Sequence, residues 1–155
     1  MEFELFERDF IRRTQRIIDQ YDRYVMTQVP PADRFDVTLL INCLLGLLVM
    51  PNERRFERIP PLSLDQLGDW GLPPDFVRAW GTHPKKVKPE NRRTLAEIVY
   101  RMRNSVCHLR IEPTGDGSEI THVRFFDANG FDATLPEGVL RQFAKRLADC
   151  VGGSV

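Results

Sequence analysis

The sequence predicts a mainly α-helical bundle of four to five helices, with a small antiparallel β insertion at about residues 109–134 before the last helix. Three observations predict this fold class. Apolar residues recur at three- and four-residue steps in several long segments, as in amphipathic helices. One segment, 37–50, is apolar on almost every side, which is typical of a buried central helix. Between 109 and 134, β-branched and aromatic residues alternate with turn residues, which indicates short strands.

The first two helices are predicted at 3–25 and 37–50, and they should pack antiparallel because a short loop joins them. The two prolines of "VPPADRFD" end the first helix. The second is 14 residues long, well short of the roughly 20 apolar residues that span a bilayer, so no membrane segment is expected. Asn42 within it is interpreted as a satisfied core amide, although it could reach a site formed by a neighbouring helix.

Residues 51–91 are rich in Pro and Gly and are interpreted as a long excursion with one or two short helices. Its end, "HPKKVKPENRR", carries five cationic side chains against Glu90 alone. Either this is a solvated loop, or it is a patch that contacts phosphate groups of RNA, since clustered Lys and Arg bind nucleic-acid backbones without regard to sequence. The candidate RNA-binding residues are Lys85, Lys86, Lys88, Arg92 and Arg93.

A third long helix is predicted from about 94 to 108, and its two faces differ in chemistry. At roughly 100° per residue, one sector gathers apolar side chains that must face the core, namely Leu95, Ile98, Val99, Met102 and Val106. The opposite sector holds Tyr100, Arg103, Asn104, Cys107 and His108. Arg103 and His108 lie about 140° apart around the axis, with Asn104 and Cys107 between them.

The polar sector can be a solvated helix face or a site. No acidic residue neutralises Arg103 or His108 between positions 98 and 111, and the usual exposed Glu/Lys pairs are missing there too. Tyr100 and Cys107 are poor choices for a face in contact only with water. A partly apolar face opposite the core suggests burial against a second subunit. Geometry alone leaves the solvated face ahead.

Three strands are predicted at about 109–113, 120–126 and 131–134, separated by Gly115-Asp116-Gly117 and by Asn129-Gly130. Thr134 and Glu137 then have the spacing of a capping box. It would start a last amphipathic helix that ends near Gly152-Gly153. Together these elements predict one domain over residues 1–152, since 155 residues suffice for a single core.

Composition excludes several classes of protein. The 22 basic and 22 acidic side chains give no net charge, so a globally basic nucleic-acid-binding chain is not indicated. Three scattered cysteines without a CxxC pair argue for a reducing cytoplasm and against a disulfide framework or zinc site. His83 and His122 are expected at the surface, and no spacing of His and Cys indicates a metal or cofactor.

The segment "RNSVCH", Arg103–His108, resembles the Arg-(x)4–6-His motif of the HEPN superfamily, in which a polar residue often follows the Arg. The order of the elements is similar too: a long amphipathic helix, an all-apolar helix "LLINCLLGLLVMP", a motif helix, a β insertion and a final helix. The resemblance, to stand-alone HEPN proteins carried on plasmids and mobile elements, covers nearly the whole chain. It implies a small helical bundle that dimerises with its motif helices facing each other.

The resemblance also implies metal-independent RNA cleavage of the toxin–antitoxin or anti-phage type. His108 would act in proton transfer, Arg103 would stabilise charge on the phosphorane, and Asn104 would orient the phosphate or His108. These assignments suit the residue types, since imidazole titrates near neutral pH and guanidinium pairs with phosphate oxygens. The implied partners are RNA, a second copy of the chain and a nucleotidyltransferase-like antitoxin. The alternatives are a catalytically inactive module that binds RNA, a nucleotide or a protein, and a helical adaptor.

Overall fold

The computed structural model describes residues 2–51, 53–116 and 119–153. Its main elements are five α-helices and four strands, in the order α1, α2, α3, β1, α4, β2, β3, β4, α5. The helices are α1 Glu2–Gln20, α2 Asp36–Val49, α3 Glu53–Phe56, α4 Leu95–Cys107 and α5 Glu137–Gly152. The strands are β1 Val77–Ala79, β2 Ile111–Asp116, β3 Glu119–Phe126 and β4 Asp132–Pro136. The prediction of a mainly α bundle with a small antiparallel sheet is confirmed.

The first helix is longer than predicted. After α1 the chain continues through a π-helical turn, Tyr21–Val25, and a last α-helical turn, Met26–Gln28. Val29 then adopts extended backbone, φ −100° and ψ 131°, because the following proline disfavours the helical conformation of its predecessor. The prolines therefore end the helix as expected, three residues later than the apolar pattern predicts.

Four helices, α1, α2, α4 and α5, supply most of the core. The apolar face predicted for α4 is confirmed, since all five of its residues are at most 1% exposed. The core interpretation of α2 holds for one side only. Leu40, Leu44, Leu47 and Leu48 are fully buried, whereas Asn42 is exposed. The prediction of a core amide at Asn42 is wrong, because Asn42 lies on the side of α2 that none of the described elements covers.

The sheet is antiparallel throughout, in the order β1-β4-β3-β2. The β1 strand was not predicted, because three residues carry too short a pattern; it lies within the excursion and pairs Val77 with Ala133. Asn129-Gly130 forms the expected turn, with Gly130 at φ +88°. Gly115 and Asp116 instead pair within the β2–β3 ladder, while Gly117 lies outside the described residues.

The predicted capping box at the start of α5 is wrong. Thr134 lies in β4, where it pairs with Arg124 and donates its backbone N–H to the carbonyl of Phe76, 3.0 Å away. Pro136 is the residue that precedes the helix, and it makes no side-chain cap. The strand leads directly into the helix, so the sheet and not a side-chain hydrogen bond sets where α5 begins.

The excursion at 51–91 packs against the bundle. Besides α3 and β1 it contains 3₁₀ turns at Leu64–Gln66, Gly68–Trp70 and Pro89–Asn91. Trp70 is 8% exposed and its ring lies 5.9 Å from that of Phe143 in α5. Short helices were expected here, and their packing explains how a Pro- and Gly-rich segment is ordered. Among the described residues, no helix is long and apolar enough to cross a membrane.

Candidate functional site at the end of helix α4

Helix α4 ends in a Schellman motif, the arrangement in which two backbone N–H groups beyond the helix satisfy carbonyls of its last turn. Arg110 donates to the carbonyl of Ser105 over 2.8 Å, and Leu109 donates to that of Val106 over 3.2 Å. His108 is the C-cap, with φ −102° and ψ 13°. This motif needs a left-handed residue after the cap, normally Gly. Leu109 fills that position at φ 53°, and its side chain is 82% exposed.

The three predicted site residues, Arg103, Asn104 and His108, lie on the side of α4 away from the core. Arg103 and Asn104 are half-buried, and His108 is exposed. Within the described ranges, the side chains of Asn104 and His108 make no hydrogen bond, so both remain available to a ligand. Arg103 is more constrained, because its guanidinium carbon lies 5.4 Å from the centre of the Phe56 ring in α3.

The end of α4 is held in place by the last residues of β3. The Ser105 hydroxyl donates to the carbonyl of Phe126 over 2.8 Å, and the backbone N–H of Phe126 donates to the carbonyl of Arg110 over 3.2 Å. These two hydrogen bonds attach the first and last residues of the Schellman motif, Ser105 and Arg110, to β3. The backbone that carries His108 is fixed although its side chain is exposed.

A third strip of α4 carries a buried polar ladder, defined as Glu97, Arg101 and Ser105, that the sequence pattern did not reveal. Each of the three is 0% exposed. Arg101 donates to Glu97 Oε1 over 3.1–3.2 Å and to Asp127 Oδ2 over 2.7 Å. Its Nη2 also donates to the carbonyls of Trp80 and Thr82, 2.9 and 2.8 Å away.

The sequence carries two signals of contacts within this ladder, although neither shows that its residues are buried. Glu97 and Arg101 have the i,i+4 spacing of a helical ion pair, and Ser105 continues the spacing for another turn.

His83 was expected at the surface. It is instead half-buried, and its Nδ1 lies 2.7 Å from the buried Oε1 of Glu97. His122 is exposed on β3, as expected.

The five basic residues of the predicted RNA patch are all exposed, but they lie at the other end of the helix. They belong to the segment 83–93, here called the basic loop, which leads into the N-terminus of α4. The 13 residues of α4 span about 20 Å at 1.5 Å per residue. Within one chain, the structure therefore does not bring Lys85, Lys86, Lys88, Arg92 and Arg93 together with His108.

The cysteines differ in environment. Cys43 is buried in α2, Cys107 is exposed beside His108 and Cys150 is half-buried in α5, and none is in a disulfide. Burial raises the pKa of the Cys43 thiol to about 11. Among the described residues, no group of three or more His, Cys, Asp or Glu side chains is arranged to hold a metal ion.

The helical bundle with a polar, solvent-facing end on its third long helix is the arrangement of a HEPN-type module. Comparison with known families agrees: the family model described as HEPN pEK499 p136 matches residues 1–153. This chain belongs to that HEPN family. No curated protein and no solved structure matches it.

Proposed function

We propose that this protein is a metal-independent endoribonuclease whose active site is the C-terminal end of α4. The observation that carries the proposal is the arrangement of Arg103, Asn104 and His108 in a chain of a HEPN family. They face away from the core on a backbone fixed by the Schellman motif and by β3. Within the described residues, the side chains of Asn104 and His108 have no hydrogen-bond partner. This is expected of groups that bind a substrate, because their donors and acceptors must be available to it.

The proposed reaction uses the RNA's own 2′-hydroxyl as nucleophile. The imidazole of His108 takes the 2′-OH proton, the 2′-oxygen forms a bond to phosphorus, and the bond from phosphorus to the 5′-oxygen breaks. The leaving 5′-oxygen receives a proton, so the products are a 2′,3′-cyclic phosphate and a 5′-OH. Arg103 stabilises the charge of the phosphorane, and Asn104 orients the phosphate or His108.

A second copy of the chain completes the site in this proposal. Two α4 ends facing each other would provide two His108 imidazoles, one to accept the 2′-OH proton and one to protonate the leaving oxygen. The exposed side chains of Cys107 and Leu109 flank His108 and would be covered in such a dimer. We place the enzyme in the cytoplasm, in a toxin–antitoxin or anti-phage system, with a nucleotidyltransferase-like antitoxin as its partner.

The test compares variants of the purified protein on RNA in the presence of EDTA. We expect His108→Ala to lower the cleavage rate about 10²- to 10⁴-fold, the usual contribution of general acid–base catalysis. Arg103→Ala should lower it about 10²- to 10³-fold, because it removes stabilisation of the transition state. His122→Ala and Arg146→Ala are the matched controls, because both residues are exposed and distant from the motif in sequence. Mass spectrometry should find 2′,3′-cyclic phosphate ends.

Two results would refute the proposal. One is intact RNA at every concentration of wild-type protein tried. The other is cleavage that survives both motif substitutions, which would move the active site elsewhere. Light scattering that shows only monomer at micromolar concentration would exclude the shared site while leaving the chemistry of a single motif open to test.

A second candidate, a HEPN module that binds RNA without cleaving it, is favoured by one contact. The Arg103 guanidinium packs on the Phe56 ring, a cation–π interaction that holds the side chain beside α3. Phe56→Leu separates the two candidates. If Arg103 must leave the ring to reach a phosphate, this variant should cleave RNA faster than wild type. If Arg103 serves only the packing of α3, the variant should lose stability and gain no activity.

A further inference from the structure

The side chain of His83, which lies outside the Arg103–His108 motif, is oriented by the buried carboxylate of Glu97. Its Nδ1 lies 2.7 Å from Oε1 of Glu97, and a carboxylate can only accept, so Nδ1 is the nitrogen that donates. The imidazole also lies beside the indole ring of Trp80, with 6.3 Å between ring centres. Nε2, the second nitrogen, makes no hydrogen bond within the described ranges. A histidine held in this way presents one defined nitrogen to a ligand.

The basic loop beside His83 is built from two hydrogen-bonded turns. Val87 donates its N–H to the carbonyl of Pro84 over 3.0 Å, which places Lys85 and Lys86 at the two central positions of the first turn. In the second turn, Asn91 donates to the carbonyl of Lys88 over 2.9 Å. Val87, between the turns, is 6% exposed and anchors the loop to the protein. The lysines are therefore displayed on an ordered backbone.

The basic loop carries five cationic side chains and one acidic side chain, Glu90, all of them exposed. Among the described residues, Lys85, Lys86 and Lys88 form no ion pair. Glu97, the buried acid that contacts His83, also accepts from the Arg101 side chain and from the backbone N–H of Arg93, the latter over 2.6 Å. An exposed cluster of cations next to an oriented imidazole has the chemistry of a phosphate site, since all these groups can donate to phosphate oxygens.

We propose that His83, Lys85 and Lys86 form a second phosphate-binding site, which holds the RNA backbone about 20 Å along α4 from His108. This inference deepens the proposed function and rests on RNA being the ligand. It gives His83 a role as a binding residue and not as a catalytic one. RNA long enough to reach both ends of α4 gains affinity from this site, and RNA too short to reach it gains none.

Binding is measured first, on the His108→Ala protein, so that the RNA stays intact. The probe is a single-stranded RNA of mixed sequence about 20 nucleotides long, longer than the roughly 4–16 nucleotides that common single-strand-binding folds cover. We expect His83→Gln, and separately the double variant Lys85→Gln/Lys86→Gln, to weaken binding at least about fivefold. The double variant should also flatten the plot of log affinity against log salt by about 0.7 for each phosphate that the protein no longer neutralises. Arg146→Gln, an exposed arginine of α5, is the control.

Cleavage is measured second, on the wild-type background, with the same RNA and with the dinucleotide UpA. The loop variants should raise KM for the long RNA and leave kcat unchanged, and they should cleave UpA as wild type does. Equal reduction of the rate on both substrates would overturn the inference, because it would mean that the loop acts in chemistry or in folding. The double variant alters exposed side chains only, so it remains informative if His83→Gln disturbs the packing around Glu97.

The remaining outcomes separate this inference from the proposed function. RNA binding that depends on the loop, without cleavage by wild type, would support the phosphate site and refute the nuclease. If wild type cleaves RNA and every loop variant binds the long RNA with unchanged affinity, the phosphate site is refuted and the nuclease is supported. ATP and inorganic phosphate are used as competitors. If either displaces RNA at micromolar concentration, and the loop variants no longer show that competition, the site takes free phosphate compounds and the assignment to RNA is wrong.

Discussion

Arg101→Met tests whether the buried polar ladder holds the motif helix in place. The Arg101 guanidinium is fully buried and donates to Glu97, to Asp127 and to the carbonyls of Trp80 and Thr82. Methionine fills similar space with no donor. The change leaves two carboxylates, 0% and 3% exposed, without their shared cation. Breaking a buried ion pair in this way costs about 3–5 kcal/mol of folding free energy.

The measurement is urea unfolding followed by tryptophan fluorescence, with thermal melts alongside. A loss of that size is a large part of the roughly 5–15 kcal/mol that stabilises a typical domain. It should lower the Tm by roughly 6–20 °C for a chain of this length. Arg12→Met is the matched control, because Arg12 pairs with Asp9 at the surface, its side chain 64% exposed, and such pairs contribute at most about 1 kcal/mol.

Asp127→Asn refines the test. If the destabilisation of Arg101→Met comes from an unpaired buried charge, removing the Asp127 charge as well should make the double variant less destabilised than the sum of the two single variants. A destabilisation below about 1 kcal/mol in Arg101→Met, or strict additivity in the double variant, would refute the reasoning.

Three further predictions concern other parts of the molecule. Cys107 should react with a thiol reagent in the folded protein, whereas Cys43, buried and with a pKa raised to about 11, should react only on unfolding. If two α4 ends face each other, oxidation should cross-link the dimer through Cys107, and Cys107→Ser should abolish the cross-linked product. Leu109→Gly should stabilise the monomer by about 1 kcal/mol in urea unfolding, because Gly tolerates the left-handed conformation, whereas Leu109→Ala should not stabilise the monomer. Leu109→Gly should also weaken any dimer detected by ultracentrifugation. Burial alone would raise the pKa of Asp22, but hydrogen bonds from Lys145 and Arg141 outweigh it and lower that pKa below its usual 3.8. The stability that these bonds contribute is present above pH 3.8 and is lost as pH falls through the lower folded pKa. Lys145→Met should therefore lower the Tm at pH 7, and its Tm should approach that of wild type in melts taken at acidic pH.

The sequence predicts those parts of the fold in which local pattern and tertiary packing agree. The apolar face of α4 follows from 3.6-residue periodicity, and the structure buries every residue in it. Periodicity also places Arg103, Asn104 and His108 on the outer side of the helix. It says nothing of where the Arg103 side chain rests, because Phe56 comes from a segment with no periodic pattern of its own.

Prediction from sequence fails where distant segments meet. Asp127 and the carbonyl of Trp80 reach Arg101 from 26 and 21 residues away, so no local pattern shows that a charged residue is buried. Thr134 shows the opposite failure, since a correct local spacing for a helix cap is overridden by pairing in the sheet. The five cationic side chains of the basic loop are exposed, which fits both a solvated loop and a phosphate-binding patch, so the choice between these two interpretations stays a prediction.

The polar ladder also fixes the position of α4 along its own axis. Apolar side chains such as Leu95 and Ile98 can slide past their neighbours by one helical turn and find similar contacts, because dispersion forces have little directionality. A slide of one turn moves each residue by about 5.4 Å. Arg101 would stay buried but lose its three acceptors outside α4, which are Asp127 and the carbonyls of Trp80 and Thr82, since hydrogen bonds fail beyond about 3.5 Å. A single register of the helix is therefore selected by polar contacts, and the end that carries His108 projects by the same length in every molecule.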